Sequence, residues 1–95
     1  MTDMCYQLLE YLDTQRDLWG VSGVTIARAL WPLESRATGG YSPQGDSRLG
    51  AGYASRVGRG TGWVIGERPE GRGTLHFRIT QSGCEALRAE RKRRS

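Results

Sequence analysis

Cys5, Leu8, Leu9 and Leu12 recur at i, i+3, i+4 and i+7, with Gln7, Glu10, Asp13 and Thr14 on the other side. That spacing lays one apolar stripe along a helix and predicts a first helix from about Asp3 to Asp17. Thr2 or Asp3 can cap its start, and Gly20 suits the chain's exit from it. Ile26, Ala27 and Leu30 form a second, shorter apolar face. Ser22 stands ahead of it as a cap and Pro32 as a stop, with Trp31 packing at that end. From Pro32 to Gly45 glycine, serine and proline are dense, which predicts a long loop.

A third helix is expected to begin at Asp46 or Ser47 and to end at Gly60 or Gly62. Leu49, Tyr53 or Ala54, and Val57 supply its inward side; Ser47, Arg48, Gly52, Ser55, Arg56 and Arg59 fall largely on the other. Gly50, Gly52 and Gly58 make it a poor helix by propensity, each costing about 1 kcal/mol against alanine. Something besides propensity must therefore hold it, or require small residues there.

Beyond it the period changes to two. Leu75, Phe77 and Ile79 alternate with Thr74, His76, Arg78 and Thr80, as in a half-buried antiparallel strand. Residues 63–68 form its partner, and the tip Pro69-Glu70-Gly71-Arg72-Gly73 makes the reversal. His76 is expected to face solvent. Thr80 then caps a fourth helix in which Cys84 and Leu87 face inward. After Leu87 this helix is polar apart from Ala89, so its end is expected to project or fray.

Charge divides the chain in two. Residues 1–46 hold three arginines against six acids, and residues 47–95 hold eleven basic side chains against four acids. A net of −3 thus faces a net of +7. A concentrated positive field of this kind suits a polyanion. The run Arg91-Lys92-Arg93-Arg94 reads equally well as a solvated tail, but the arginines spread over a helix and a hairpin do not.

Other chemistry finds little footing. Ninety-five residues make one domain with one small core. Cys5 and Cys84 lack metal-ligand spacing and are expected as reduced core thiols, and with His76 as the single histidine a zinc site is hard to assemble. No nucleophile–base set is visible, so an enzyme, a metal, a cofactor or a small-molecule ligand is not expected. No apolar run spans a bilayer and no leader pattern opens the chain, which predicts a cytoplasmic protein without a membrane partner.

The run LGAGYASRVGR, residues 49–59, resembles the recognition helix of MarR- and PadR-type winged-helix regulators through its Ser55-Arg56-Val57 step. Gly62-Trp63-Val64 is similar to the start of their wing, and RITQSGCEAL, residues 78–87, to their strand-into-helix junction. The resemblance implies an α+β winged helix-turn-helix fold: three helices, a two-stranded hairpin wing and a C-terminal helix. It also implies sequence-specific binding of double-stranded DNA by a small transcriptional regulator, a repressor, acting as a homodimer.

The residues expected at the DNA are Ser47, Arg48, Gly52, Tyr53, Ser55, Arg56 and Arg59 on the third helix and Arg68, Arg72 and Arg78 on the wing. Arg56 would read a guanine edge, Arg72 would enter the minor groove from its glycine-flanked tip, and Tyr53 would touch phosphate or sugar. Tyr6, Tyr11 and Trp19 are surplus to the core, which makes the first helix one candidate dimer surface and the last helix the other. Where the family has a further helical turn after Val57, this chain has GRGTG, which predicts a short recognition helix. The competing readings are a winged-helix module for protein–protein contact and an architectural DNA-bending factor.

Overall fold

A computed structural model of the chain describes residues 1–16, 20–32, 43–71 and 73–95. Trp19, Tyr41, Arg72 and most of the expected 32–45 loop lie outside them. Among the described residues the chain is α+β, with four helices and a small antiparallel sheet. The order is α1 (Asp3–Thr14), β1 (Val21–Ser22), α2 (Gly23–Leu30), α3 (Pro43–Thr61), β2 (Val64–Glu67), β3 (His76–Ile79) and α4 (Gln81–Arg94).

The first helix buries the stripe read from its spacing: Cys5, Leu8, Leu9 and Leu12. Thr2 caps it, its hydroxyl accepting from the Cys5 amide at 3.1 Å. Ser22 caps α2 in the same way, through the Thr25 amide, and Ile26 and Ala27 go inward. These helices and the sheet close over one core whose largest fully buried side chains are Leu8, Leu9, Leu12, Ile26 and Leu87. Burial pushes the Cys5 thiol above its ordinary pKa. Cys84, expected inside with Leu87, is only half-buried, and its sulfur accepts from the Arg16 guanidinium at 3.3 Å.

The sheet holds a strand the alternation pattern did not predict. Val21 pairs with Phe77 and Ser22 with His76, so β1 lies along one edge of β3 while β2 lies along the other. Two residues are too few to show a period of two, and only β3 gives them a partner. Phe77 is buried at the centre of this sheet. His76, expected in solvent, is half-buried because β1 and β2 flank it on both sides.

The third helix is longer than predicted. It starts at Pro43, inside the expected loop, and runs through the GRGT segment to Thr61. It therefore is not the short helix that the glycines suggested. Its inward side is also different. Asp46, Gly50, Ala54 and Val57 are buried, whereas Leu49 is 37% exposed.

Packing explains the glycines. A β-carbon on Gly50 would stand 1.8 Å from the Gly23 carbonyl oxygen, and one on Gly23 would stand 2.7 Å from the Ala51 amide nitrogen. The backbones of α2 and α3 thus touch, and any side chain between them would force them apart. At Gly58 a β-carbon would meet the Val64 carbonyl oxygen at 2.6 Å. The helix ends at Gly62, whose φ of 75° is left-handed and whose amide donates to the Gly58 carbonyl at 2.9 Å, a turn that favours glycine.

The junction between β3 and α4 is a second point of close contact. The Thr80 hydroxyl caps α4 through the Gly83 amide at 3.0 Å, and it reaches the Gly62 carbonyl at 2.7 Å. The Thr80 amide donates to the Trp63 carbonyl at 2.9 Å. That carbonyl passes so near Gly83 that a β-carbon there would stand 2.2 Å away. The threonine, two residues and glycine of this motif are thus explained by one cap and one backbone crossing.

The polar end of α4 does not fray. Arg94 donates to Glu90 at 2.8 Å, pairs with Asp3 at 3.1 Å, and lies 4.1 Å over the Tyr6 ring. Arg91 faces Asp13 at 3.4 Å and Glu10 at 3.7 Å. The acids of α1 and the cations of α4 are complementary faces, invisible while each helix is read alone. Glu90 is 6% exposed and receives both Arg93 and Arg94. The hydrogen bond from Arg93 outweighs the opposing effect of desolvation, Arg94 adds to it, and the carboxyl is held down at about 2.

Candidate functional site

An α-helix turns by about 100° per residue, so Arg48, Gly52, Arg56 and Arg59 fall within about 80° of one another on α3. Leu49 and Ser55 border this sector. Its centre lies opposite Gly50 and Ala54, the residues pressed toward α2 and the core. Packing on one side therefore aims the arginines outward on the other.

Arg48, Arg56 and Arg59 are all exposed, while Gly52 and Ser55 are half-buried. Among the described residues no carboxylate lies within ion-pair distance of any of the three arginines. Asp46 and the acids of α1 are engaged elsewhere. Asp46, 3% exposed in the first turn of α3, accepts from Arg28 of α2 at 3.3 Å, and the α1 acids face α4. The result is a strip of positive charge along an exposed helix face that no acid of the described residues neutralises.

Two residues assigned to this face belong elsewhere. Ser47 is half-buried, and its carbonyl oxygen lies on the α2 side, 2.8 Å from where a β-carbon of Gly23 would be. Tyr53 is half-buried on the flank and packs against the core. Its ring meets Trp31 edge to face, with centroids 5.6 Å apart and planes at 86°, and carries the Arg56 guanidinium 5.8 Å from its centroid. Leu49, expected inside, is instead an apolar member of the strip's border.

The hairpin arginines are more engaged than those of α3. Arg78 pairs with Glu67 across β2 and β3. Arg68 donates to the Gly73 carbonyl at 3.0 Å, folding its guanidinium onto the turn, while the Gly71 amide donates to the Arg68 carbonyl at 2.9 Å. Arg72 lies outside the described residues. Of the four basic residues at the end of α4, three, Arg91, Arg93 and Arg94, are paired with acids of α1 or α4.

The strip was legible from sequence because three arginines at helical spacing share a face. The engagement of the tail was not, since a run of cations reads the same whether solvated or paired. Among the described residues, no three histidine, cysteine or acidic side chains converge as a metal site would need. None of the described helices is long and apolar enough to cross a membrane. Compared with known proteins, the chain matches no family model, and no curated protein or solved structure is significantly similar to it.

Proposed function

We propose that this chain is a winged helix-turn-helix protein that binds double-stranded DNA, placing α3 in the major groove and the β2–β3 hairpin against the adjacent backbone or minor groove. In this reading it is a small sequence-specific transcriptional regulator, a repressor, that binds as a homodimer. One observation carries it: Arg48, Arg56 and Arg59 project from one exposed face of α3 with no carboxylate of the described residues beside them. The succession of α2, α3, hairpin and α4 supports it, because it sets a two-stranded ribbon immediately after the arginine-bearing helix.

The roles divide by chemistry. Arg56, central along the face, offers a forked donor pair that matches the two acceptors of a guanine edge. Arg48 and Arg59, at either end of the strip, suit phosphates and set the register of the helix. Gly52, lacking a side chain between them, lets the helix approach the groove floor. Arg68 and the tip with Arg72 are the hairpin's contacts. Arg78 contributes less, because Glu67 already neutralises it.

The test is a titration of random and selected duplex DNA across salt concentration. With Arg48 and Arg59 on phosphates, α3 contributes roughly −2 per protomer to the log–log salt slope, and Arg48→Ala or Arg59→Ala should each make it shallower by about 1 per protomer, whereas Arg56→Ala, at a base edge, should change it less. Arg56→Ala should relax sequence preference, whereas Arg48→Ala and Arg59→Ala should weaken all sequences alike. Binding without preference would favour an architectural factor. No binding at micromolar protein and low salt would refute the DNA reading in favour of an acidic protein surface as the partner of the strip. Complex stoichiometry on a selected site tests the homodimer.

A further inference from the structure

Arg56 does not stand free of the helix. Its guanidinium lies 5.8 Å from the centre of the Tyr53 ring. One of its terminal nitrogens is 3.9 Å from where a β-carbon of Gly52 would be. The side chain therefore folds back along the helix, over a residue that has no side chain and against the ring beside it. Long side chains on helices lean toward the preceding turn, and the small residue at position 52 leaves that path open.

The wall of this cradle is itself supported. Tyr53 meets Trp31, at the end of α2, edge to face with centroids 5.6 Å apart. Both rings are half-buried against the core cluster, so Tyr53 has little freedom to leave. α2 and α3 are in backbone contact at Gly23 and Gly50, which fixes the distance between the two aromatic residues. A chain of contacts thus runs from the helix–helix packing, through Trp31 and Tyr53, to the guanidinium.

We propose that Tyr53, buttressed by Trp31, is a positioning residue that presets the side chain of Arg56, and that this presetting is what makes Arg56 selective among base edges. This rests on the reading of α3 as the element that enters the groove. An arginine free to sample many rotamers can find a phosphate from any of them, whereas forked pairing with guanine demands one orientation. A guanidinium held before binding loses less freedom when it docks. Arg48 and Arg59 have no aromatic partner among the described residues, which fits their assignment to the backbone. Tyr53 is accordingly not a contact to phosphate or sugar: it acts through Arg56.

Two measurements test this, one without DNA. In the free protein, nuclear magnetic resonance should show the Arg56 side-chain protons shifted upfield by the Tyr53 ring. The shift should persist in Tyr53→Phe, which keeps the aromatic face, and vanish in Tyr53→Leu. Absence of the shift in the unsubstituted protein would overturn the proposal regardless of any variant's folding. The second measurement is the ratio of affinities for a duplex selected by the protein and for random duplex.

Tyr53→Leu should lower that ratio about two- to fivefold, the size of an exposed cation–π contact, while leaving random-duplex affinity at low salt unchanged. Tyr53→Phe should restore the ratio, and Trp31→Leu should lower it in the same direction. An unchanged ratio in Tyr53→Leu, or an equal loss on both duplexes, would overturn the positioning role. If the unsubstituted protein binds no duplex, the DNA reading falls and the selectivity claim falls with it. The upfield shift would then still decide whether Tyr53 holds Arg56.

Discussion

Replacing Gly50 by alanine should destabilise this protein, and replacing Gly52 by alanine, two residues along the same helix, should stabilise it. Intrinsic propensity treats the two alike, favouring alanine by about 1 kcal/mol at each. Tertiary contact separates them. A β-carbon at position 50 would stand 1.8 Å from the Gly23 carbonyl oxygen, 2.7 Å from its carbon and 3.0 Å from the Ala27 nitrogen. All three are backbone atoms, so no side chain can rotate away. Restoring ordinary contact of about 3.5 Å would require α2 and α3 to part by on the order of 1.5 Å.

Overpacking typically costs about 1–3 kcal/mol, occasionally more, and rigid backbone on both sides argues for the upper end. Set against the propensity gain, Gly50→Ala should lose about 2 kcal/mol or more. At position 52 the nearest atom to the new methyl would be an Arg56 nitrogen at 3.9 Å, an ordinary contact, so the propensity gain stands alone. One kcal/mol corresponds to about 4–8 °C in Tm for a domain of this size. Thermal unfolding followed by far-ultraviolet circular dichroism should therefore show Gly52→Ala several degrees above the parent and Gly50→Ala ten or so below it. Equal shifts of the same sign, or a Gly50→Ala protein as stable as the parent, would refute the backbone contact between α2 and α3.

The junction and the helix end make further predictions. Thr80→Ala removes the cap of α4 and should cost about 1 kcal/mol, the usual value of an N-cap hydroxyl, read from urea unfolding; Thr80→Ser should recover most of it. Gly83→Ala should cost more than Thr80→Ala in the same assay, because its β-carbon would press on the Trp63 carbonyl. Glu90 supplies a pH signature. Its carboxyl sits at about 2 in the folded chain against an ordinary 4.5, so its contribution is complete above pH 4.5 and is lost as pH falls toward 2. The stability difference between the parent and Glu90→Gln should therefore shrink across that window and stay constant above it; a constant difference down to pH 2 would show that the carboxylate is not held by Arg93 and Arg94.

Local pattern was enough for much of this chain. The stripe Cys5, Leu8, Leu9 and Leu12, the caps at Thr2, Ser22 and Thr80, and the hairpin around Phe77 follow from neighbours three or four residues apart, or two apart in a strand. Spacing of that kind reports directly which side of an element is apolar. The arginine face of α3 was readable for the same reason, since Arg48, Arg56 and Arg59 share a face whatever the helix packs against.

What escaped depends on partners distant in sequence. Gly50 reads as a weakness until Gly23 is seen touching it, and Leu49 reads as core until glycine-mediated contact rotates it to the border of the strip. The two residues of β1 become a strand only beside β3. Arg91 and Arg94 look like a free basic tail until Asp3, Glu10 and Asp13 arrive from the other end of the chain to meet them. Periodicity describes one element at a time, whereas backbone contact, strand pairing and ion pairing are properties of two, so only their assembly decides which glycines are required and which arginines remain to meet a partner.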